Sequence, residues 1–154
     1  MTSHAPRQAS AGTGPADPYT QVQQFYARQV AFLDDLRAEE FAATFTEDGV
    51  FAPAPGAPPA RGRTAIAAAL RAAHERRFGT EQVRRRHWHN MLRVEPGPDG
   101  TLLTHYYLLV AVTRPGEPAP VLGPSAVVED VLVHDDTGGL LTRERRVTPD
   151  HLSF

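Results

Sequence analysis

The stretch Gln82–Val94, QVRRRHWHNMLRV, is where the periodicity of the chain changes, and it decides the predicted fold. It opens a run of long segments that are rich in Val, Leu, Thr and aromatic residues and are separated by turn sequences, a pattern typical of strands. The later segments of this kind are Thr101–Thr113, Val121–His134 and Leu140–Thr148. Because short turns connect them, we predict a meander of long antiparallel strands.

The chain before this point shows helical periodicity instead. Asp17 is a good N-cap, Pro18 suits the first helical position, and apolar residues then recur at three- and four-residue steps as far as Asp34–Asp35. Further elements are predicted after this helix: a short helix over residues 38–45, a strand at Val50–Phe51 and a helix from about Thr64 to Arg77. The predicted fold class is therefore α+β, with three N-terminal helices across the concave face of a curled antiparallel sheet.

Composition excludes several function classes. The 154 residues carry a net charge of −2 and a pI near 6.4, which gives no overall field for nucleic acid or an anionic membrane, and one Arg84–Arg86 cluster does not change this. There is no cysteine, which excludes disulfides and thiolate nucleophiles. All 16 basic residues are arginine, so Schiff-base chemistry on lysine is excluded as well.

The two ends of the chain differ from its middle. Residues 1–16 are rich in Ala, Gly, Pro and Ser and lack an apolar signal region, so we predict a flexible tail. One domain is expected over residues 17–150, followed by a short tail over residues 151–154. No run approaches the roughly 18 apolar residues of a membrane helix, and a cytoplasmic protein is expected.

Strand alternation divides the candidate site residues between two faces of the sheet. On the first long strand, one face holds His87, His89 and Met91, and the other holds Arg86, Trp88, Asn90 and Leu92. On the next strand, the faces are His105 with Tyr107 and Tyr106 with Leu108. One face lines the interior and the other meets solvent or a partner, and the sequence leaves that choice open.

Acid–base chemistry is what these residue types support. Asp34 ends the first helix, and a desolvated carboxylate there has a raised pKa suited to a base, while histidine titrates near neutral pH. We therefore predict Asp34 as the base or the water-positioning group and His87 or His89 as its proton-transfer partner. Residues predicted to contact a substrate are Tyr26, Trp88, Asn90, His105, Tyr106, Tyr107 and Glu129. Glu129 and Asp130 are adjacent strand residues, so only one of them points inward.

Four segments carry a family resemblance: FLDDLRAEEFAATFTEDGVF (32–51), GRTAIAAALRAAHERRFG (62–79), RRRHWHN (84–90) and VVEDVLVHDDTGGLLTRERRV (127–147). Together they resemble the SnoaL-like polyketide cyclase and scytalone dehydratase-like branch of the nuclear transport factor 2-like superfamily. The resemblance implies a cone with an apolar pocket and a homodimer that pairs through the outer sheet face. It also implies an aspartate matching Asp34 and a strand histidine matching His87 or His89, although Leu33 replaces the tyrosine of such dehydratases.

The function implied by the resemblance is a cyclase or dehydratase of aromatic polyketide biosynthesis, acting on a small hydrophobic substrate without a cofactor. A non-catalytic accessory protein that binds such an intermediate in the same pocket is the alternative. A metal site is a further one, because His87 and His89 share a strand face and Glu95 or His105 offers a third ligand. The helical first half does not suit the all-strand barrels that bind metal this way, so no metal is expected.

Overall fold

The computed structural model describes residues 16–154, so the predicted tail, apart from Ala16, lies outside the described residues. The helices are α1 (Pro18–Asp34), α2 (Ala38–Ala43) and α3 (Arg63–Phe78). The strands are β1 (Phe45–Ala52), β2 (Ala60–Arg61), β3 (Arg84–Pro96), β4 (Leu102–Thr113), β5 (Val121–His134) and β6 (Leu140–Pro149). Single 3-10 turns cover Pro98–Gly100 and Asp150–Leu152, the second of which enters the predicted C-terminal tail.

The strands form one curled sheet in the order β2-β1-β6-β5-β4-β3. The four long strands form the predicted antiparallel meander, each paired with its neighbour in sequence. One pairing differs from the predicted sheet, because β1 and β6 run parallel. After β1, the chain passes through β2 and α3 and starts the meander at the opposite edge of the sheet. It returns to β1 only with β6, and a connection of this length permits parallel pairing.

The first helix begins and packs as predicted. Asp17 has extended backbone angles, and its carboxylate accepts a hydrogen bond from the Thr20 backbone N–H at 3.2 Å, while Pro18 occupies the first turn. The buried stripe of α1 lies across the concave face of β4 and β5. This core contains Val22, Phe25, Tyr26, Leu102, Tyr106, Val128, Leu132 and Leu140. Burial of each large apolar side chain contributes roughly 1.5–3 kcal/mol, so this contact fixes the position of α1 on the sheet.

A second core joins α2, α3 and β1 through Phe41, Phe45 and Ile66. The strand β1 starts at Phe45, five residues before the predicted Val50, because its first residue pairs with Thr142 of β6. That pairing overrides the turn signal of the Asp48–Gly49 dipeptide. No helix within residues 16–154 has the length and hydropathy needed to cross a membrane.

A β-bulge divides β3 into two halves. The register with β4 shifts between Asn90 and Arg93, and Met91 has a positive φ of 53°. The prediction that Met91 shares the face of His87 is therefore wrong. Met91 is exposed, and Leu92 packs against the core of α1, β4 and β5 instead.

Candidate active site

Two cavities border the inner face of the first half of β3. A cavity of about 470 Å³ lies between the sheet and the second core, with Phe41, Ile66 and Leu70 in its wall. A smaller cavity of about 410 Å³ lies between α1 and β3. His87, His89 and Tyr106 line both cavities, so these three rings form a shared wall.

The contact between Asp34 and His87 is the central feature of this wall. The Oδ1 atom of Asp34 lies 2.6 Å from Nδ1 of His87 and also accepts a hydrogen bond from the His87 backbone N–H at 3.1 Å. Both side chains are buried, with exposed fractions of 7% and 9%. Because a carboxylate accepts hydrogen bonds, this contact favours the His87 tautomer that carries its proton on Nδ1, and Nε2 is the ring nitrogen outside the contact.

Asp34 itself lines neither cavity, and its contact with His87 connects it to them. Its second oxygen, Oδ2, lies 3.8 Å from the guanidinium of Arg86, whose side chain is half exposed. The carboxylate thus has a histidine on the inner side and an arginine toward solvent. The sequence predicted Asp34 and left His87 and His89 open, and His87 is the histidine that contacts Asp34.

His89 has a different environment from His87. Its ring packs on Tyr106 with centroids 4.5 Å apart, and Tyr26 meets it edge-on at 5.7 Å. Burial lowers the pKa of His89 to about 3, and the charge of Arg145 adds to this shift. Among the residues that the structure describes, Nδ1 of His89 has no hydrogen-bond partner. His89 is therefore neutral at pH 7 and offers a hydrogen bond to a ligand.

Tyr106 is fully buried, and its hydroxyl also has no partner within residues 16–154. Burial raises the pKa of Tyr106 well above its ordinary value, so the phenol stays protonated and can donate a hydrogen bond. Tyr106 was predicted as a substrate contact, and the structure places it in the shared wall beside His87 and His89.

A buried ion pair lies next to this wall. Arg145 donates from Nε to Oδ1 of Asp130 at 2.9 Å and from NH2 to Oδ2 at 2.6 Å. Burial opposes the charge of Arg145, but the Asp130 carboxylate outweighs burial and raises the pKa of Arg145. Tyr26 donates to the same carboxylate at 2.6 Å, so its hydroxyl is committed to Asp130 although its ring lines the smaller cavity.

Buried polar side chains extend the hydrogen-bond network around the Asp130–Arg145 pair. Gln29 accepts from Arg145 at 2.6 Å and donates to Thr44 at 2.7 Å, and the Thr104 hydroxyl lies 2.6 Å from that of Tyr26. The sequence reading missed these groups. For Asp130 the signal was present, because only one of the adjacent residues Glu129 and Asp130 points inward.

Five predicted substrate contacts lie on the outer face of the sheet, away from both cavities. They are Trp88, Asn90, His105, Tyr107 and Glu129. Trp88 and Tyr107 are 65% and 52% exposed, and His105 pairs with Glu129 across β4 and β5. The prediction that they line the same pocket as His87 is corrected, because alternation turns them away once Tyr106 and Asp130 face inward.

The described part of the chain, residues 16–154, contains no group of three His, Cys, Asp or Glu side chains arranged to hold a metal ion. His105 and Glu95, the predicted third ligands, are not placed beside the inner pair of histidines.

The chain matches the SnoaL-like domain family over residues 16–146. This protein belongs to the SnoaL-like family. The match spans all three helices and most of the sheet, including the shared wall of the two cavities. No protein with a curated description matches the chain.

Solved structures of similar proteins agree with this assignment. ActVI-ORFA from Streptomyces coelicolor is 41% identical, with a TM-score of 0.80 over 86% of this chain and 98% of that one. A Catenulispora acidiphila protein solved in complex with S-DNPA is 43% identical, with a TM-score of 0.79 over 88% and 95% of the two chains. Aln2 from a Streptomyces species is 38% identical, with a TM-score of 0.80 over 90% and 96%.

A more distant structure supports the fold alone. An NTF2-like protein with a cystatin-like fold from Novosphingobium aromaticivorans is 20% identical, with a TM-score of 0.71 over 86% of this chain and 81% of that one. The predicted cone of helices and curled sheet is confirmed by this likeness and by the strand order.

Proposed function

We propose that this SnoaL-like protein is an acid–base enzyme that cyclises or dehydrates a small aromatic polyketide-like substrate without a cofactor. The observation that carries the proposal is the Asp34–His87 contact. A buried carboxylate 2.6 Å from Nδ1 fixes the tautomer of a histidine whose other nitrogen remains for the cavities. Proton transfer by a positioned histidine typically contributes 10²–10⁴-fold to a rate.

The proposed reaction begins with His87 as the base. Nε2 removes a proton from a carbon next to a substrate carbonyl, and Asp34 stabilises the imidazolium that forms. The electron pair moves onto the carbonyl oxygen, where the neutral hydroxyl of Tyr106 donates a hydrogen bond. In a dehydration, the imidazolium then returns its proton to the departing hydroxyl, which leaves as water. In an aldol cyclisation, the enolate carbon instead attacks a second carbonyl carbon of the substrate, the π electrons of that carbonyl move onto its oxygen, and the imidazolium protonates the resulting alkoxide.

The larger cavity supports an aromatic substrate. Its volume of about 470 Å³ lies in the range of small-molecule sites, and most of its lining is apolar. Phe51, Leu108 and Val110 offer flat apolar contacts to a planar ring system. These contacts bind a substrate and its transition state alike, so they position the ring without supplying the chemistry.

A non-catalytic accessory protein that binds a polyketide intermediate remains the alternative. The apolar cavity serves binding and catalysis equally well, and fold does not decide between them. The Asp34–His87 contact favours the enzyme, because binding an apolar ring does not require a histidine of fixed tautomer.

Turnover by Asp34→Asn and His87→Gln tests the proposal. The substrate is a panel of bicyclic aromatic β-hydroxy ketones, in which loss of water extends the conjugation and changes the absorbance. Each variant is expected to turn over roughly a hundredfold more slowly, the scale of acid–base catalysis, while keeping its fold by circular dichroism. Asp35→Asn is the matched control, since Asp35 is the exposed neighbour. Wild-type rates in both variants would refute the assignment.

We also propose a homodimer that pairs through the outer sheet face, as the family resemblance implies. Trp88 and Tyr107 are exposed on the outer sheet face, and association there would remove large aromatic surfaces from water. Sedimentation of the wild-type chain and of a Trp88→Glu variant tests it, and a monomeric wild type would contradict it.

A further inference from the structure

The larger cavity has a one-sided charge. Its polar lining consists of Arg76, Arg77, Arg85, Arg145, His87, His89 and Tyr106, and no aspartate or glutamate of residues 16–154 is among its lining residues. Arginine stays protonated in proteins, so each of the four guanidinium groups brings a full positive charge. A cavity built only for neutral aromatic rings has no need of this charge.

The charge of Arg145 is already matched inside the protein. Both oxygens of Asp130 and the amide oxygen of Gln29 accept its hydrogen bonds. Arg76 and Arg77 lie in the last turn of α3 and are exposed, so water solvates them. These three arginines therefore need no ligand.

Arg85 is the exception. It is 8% exposed, yet within residues 16–154 its side chain makes one hydrogen bond, from NH2 to the Leu33 carbonyl at 3.2 Å. No carboxylate of residues 16–154 lies within ion-pair distance of it, and Asp34 contacts His87 and Arg86 instead. A guanidinium has five N–H donors, so most of those of Arg85 have no partner within residues 16–154. None of its nitrogens is among the fully inaccessible unpaired atoms, so these donors open onto the cavity.

The electrostatic surroundings do not compensate this charge. Burial lowers the pKa of Arg85, the Asp34 carboxylate opposes the shift, and the like charge of Arg77 adds to it. A buried cation without a hydrogen-bonded counter-charge is costly. An anion in the cavity would remove that cost.

We propose that Arg85 is the anion-binding residue of the cavity and that the substrate of the proposed reaction carries a carboxylate. Arg85 and His87 are two residues apart on the same face of β3, before the bulge, which separates their side chains by roughly 7 Å. A carboxylate on Arg85 therefore sets an aromatic ring against His87. The planar fork of a guanidinium matches a carboxylate. One buried charge also suits a monoanion better than a phosphate dianion.

This inference rests on the proposed function for its substrate, but its test measures binding and not turnover. The probes are 2-naphthoate, the neutral 2-naphthamide and 2-naphthyl phosphate, titrated calorimetrically at pH 7.5. Wild-type protein is expected to bind naphthoate about tenfold or more tightly than naphthamide, the scale of a charge-assisted hydrogen bond. Equal affinities, or tighter binding of the phosphate, would overturn the carboxylate assignment without any variant.

Arg85→Met assigns the preference to the residue. Naphthoate should lose at least fivefold in affinity while naphthamide changes less than twofold. Arg93→Met is the matched control, because Arg93 is an exposed arginine of the same strand beyond the bulge. Loss of both ligands in a folded Arg85→Met variant, or an unchanged preference, would show that Arg85 supports only the end of α1.

The two proposals fail separately. Asp34→Asn should retain the preference for naphthoate even when turnover is lost. A preference for naphthoate with a fully active Asp34→Asn variant would overturn the acid–base reaction and leave the anion site. No preference, together with an inactive Asp34→Asn variant, would overturn the anion site and leave the reaction.

Discussion

Two buried carboxylates, Asp34 and Asp130, lie on either side of the cavity wall and differ in what their partners leave free. Asp130 is fully buried and binds Arg145 through both oxygens, and Arg145 has a second protein partner in Gln29. Asp34 binds Nδ1 and the backbone N–H of His87 through one oxygen, and the second nitrogen of that ring has no hydrogen-bond partner within residues 16–154.

The Asp130–Arg145 pair is closed within the protein, whereas the Asp34–His87 pair borders the cavities and is the one proposed to react. Arg145 is always charged and both oxygens of Asp130 neutralise it, so the Asp130 pair has no proton to exchange. His87 lines both cavities, and within residues 16–154 its Nε2 atom has no hydrogen-bond partner, so in the proposed reaction this nitrogen is the one that exchanges a proton with a ligand. Burial of the carboxylate is common to both sites, and the partner determines the role.

Breaking the Asp130 pair should give the largest effect. Arg145→Met leaves Asp130 and Gln29 without their buried donor, so the free energy of unfolding should fall by about 3–5 kcal/mol. Urea unfolding measures it. Arg146→Met is the control, because Arg146 is exposed and its pair with Glu144 at 3.3 Å lies at the surface. Similar small losses in both variants would refute a structural role for Arg145.

The Asp34–His87 pair should act as a unit in catalysis. Asp34→Asn and His87→Gln should each slow turnover about a hundredfold, and the double variant should be no slower than about the slower single variant, because each removes the same function. Steady-state kinetics of the four proteins measures this. Multiplied losses, near ten-thousandfold, would mean that the two residues act independently.

The pH dependence of the free energy of unfolding should show that His89 is held neutral in the folded protein. With a folded pKa of about 3 against an ordinary value of 6.5, the unfolded chain binds one more proton between these pH values. The contribution of neutral His89 to the free energy of unfolding is therefore fully present above pH 6.5. It is lost by about 1.4 kcal/mol for each pH unit below that, so about 2 kcal/mol is lost at pH 5.

A non-titrating variant isolates this contribution. Unfolding in urea at several pH values should give a shallower slope for His89→Gln than for wild type. His105→Gln, on the outer face, is the control. Equal slopes for wild type and His89→Gln would show that His89 is not held neutral.

Tyr26 should show the smallest effect of the set. Its hydroxyl donates to Asp130, so Tyr26→Phe removes one hydrogen bond to a charged group and should cost about 1.5 kcal/mol. Tyr19→Phe, on the exposed side of α1, should change unfolding by less than about 0.5 kcal/mol. If both variants unfold alike, Tyr26 is not part of the Asp130 network.

Local signals were enough to predict most of the fold. Asp17 and Pro18 marked the start of α1, and Val121–His134 matches β5 at both ends. The parallel pairing of β1 with β6 was not predictable in this way, because it depends on where the chain returns after the meander. The early start of β1 has the same origin, since Phe45 is placed by its partner Thr142.

The site was harder to predict because strand alternation fails at bulges. A register shift in the pairing of β5 with β6 puts Arg145 inside, where simple alternation from Leu140 and Thr142 would have placed Glu144. The bulge of β3 likewise places Leu92 on the inner face, where simple alternation from His87 and His89 would have placed Met91. The position of Asp34 at the end of α1 was predictable because a helix end has a clear sequence signal. The Asp130 network was not, because its partner Arg145 faces inward only through the register shift.

The bulge at Met91 also has a consequence for changes in chain length. It separates a half of β3 that carries Arg85, His87 and His89 from a half that only packs. Deleting one residue there would shift the register of the strand by one position. The side chains beyond the deletion would then exchange the inner face of the sheet for the outer face. We therefore expect insertions and deletions in β3 to disturb the protein far more than substitutions do, because they change which side chains face the cavities.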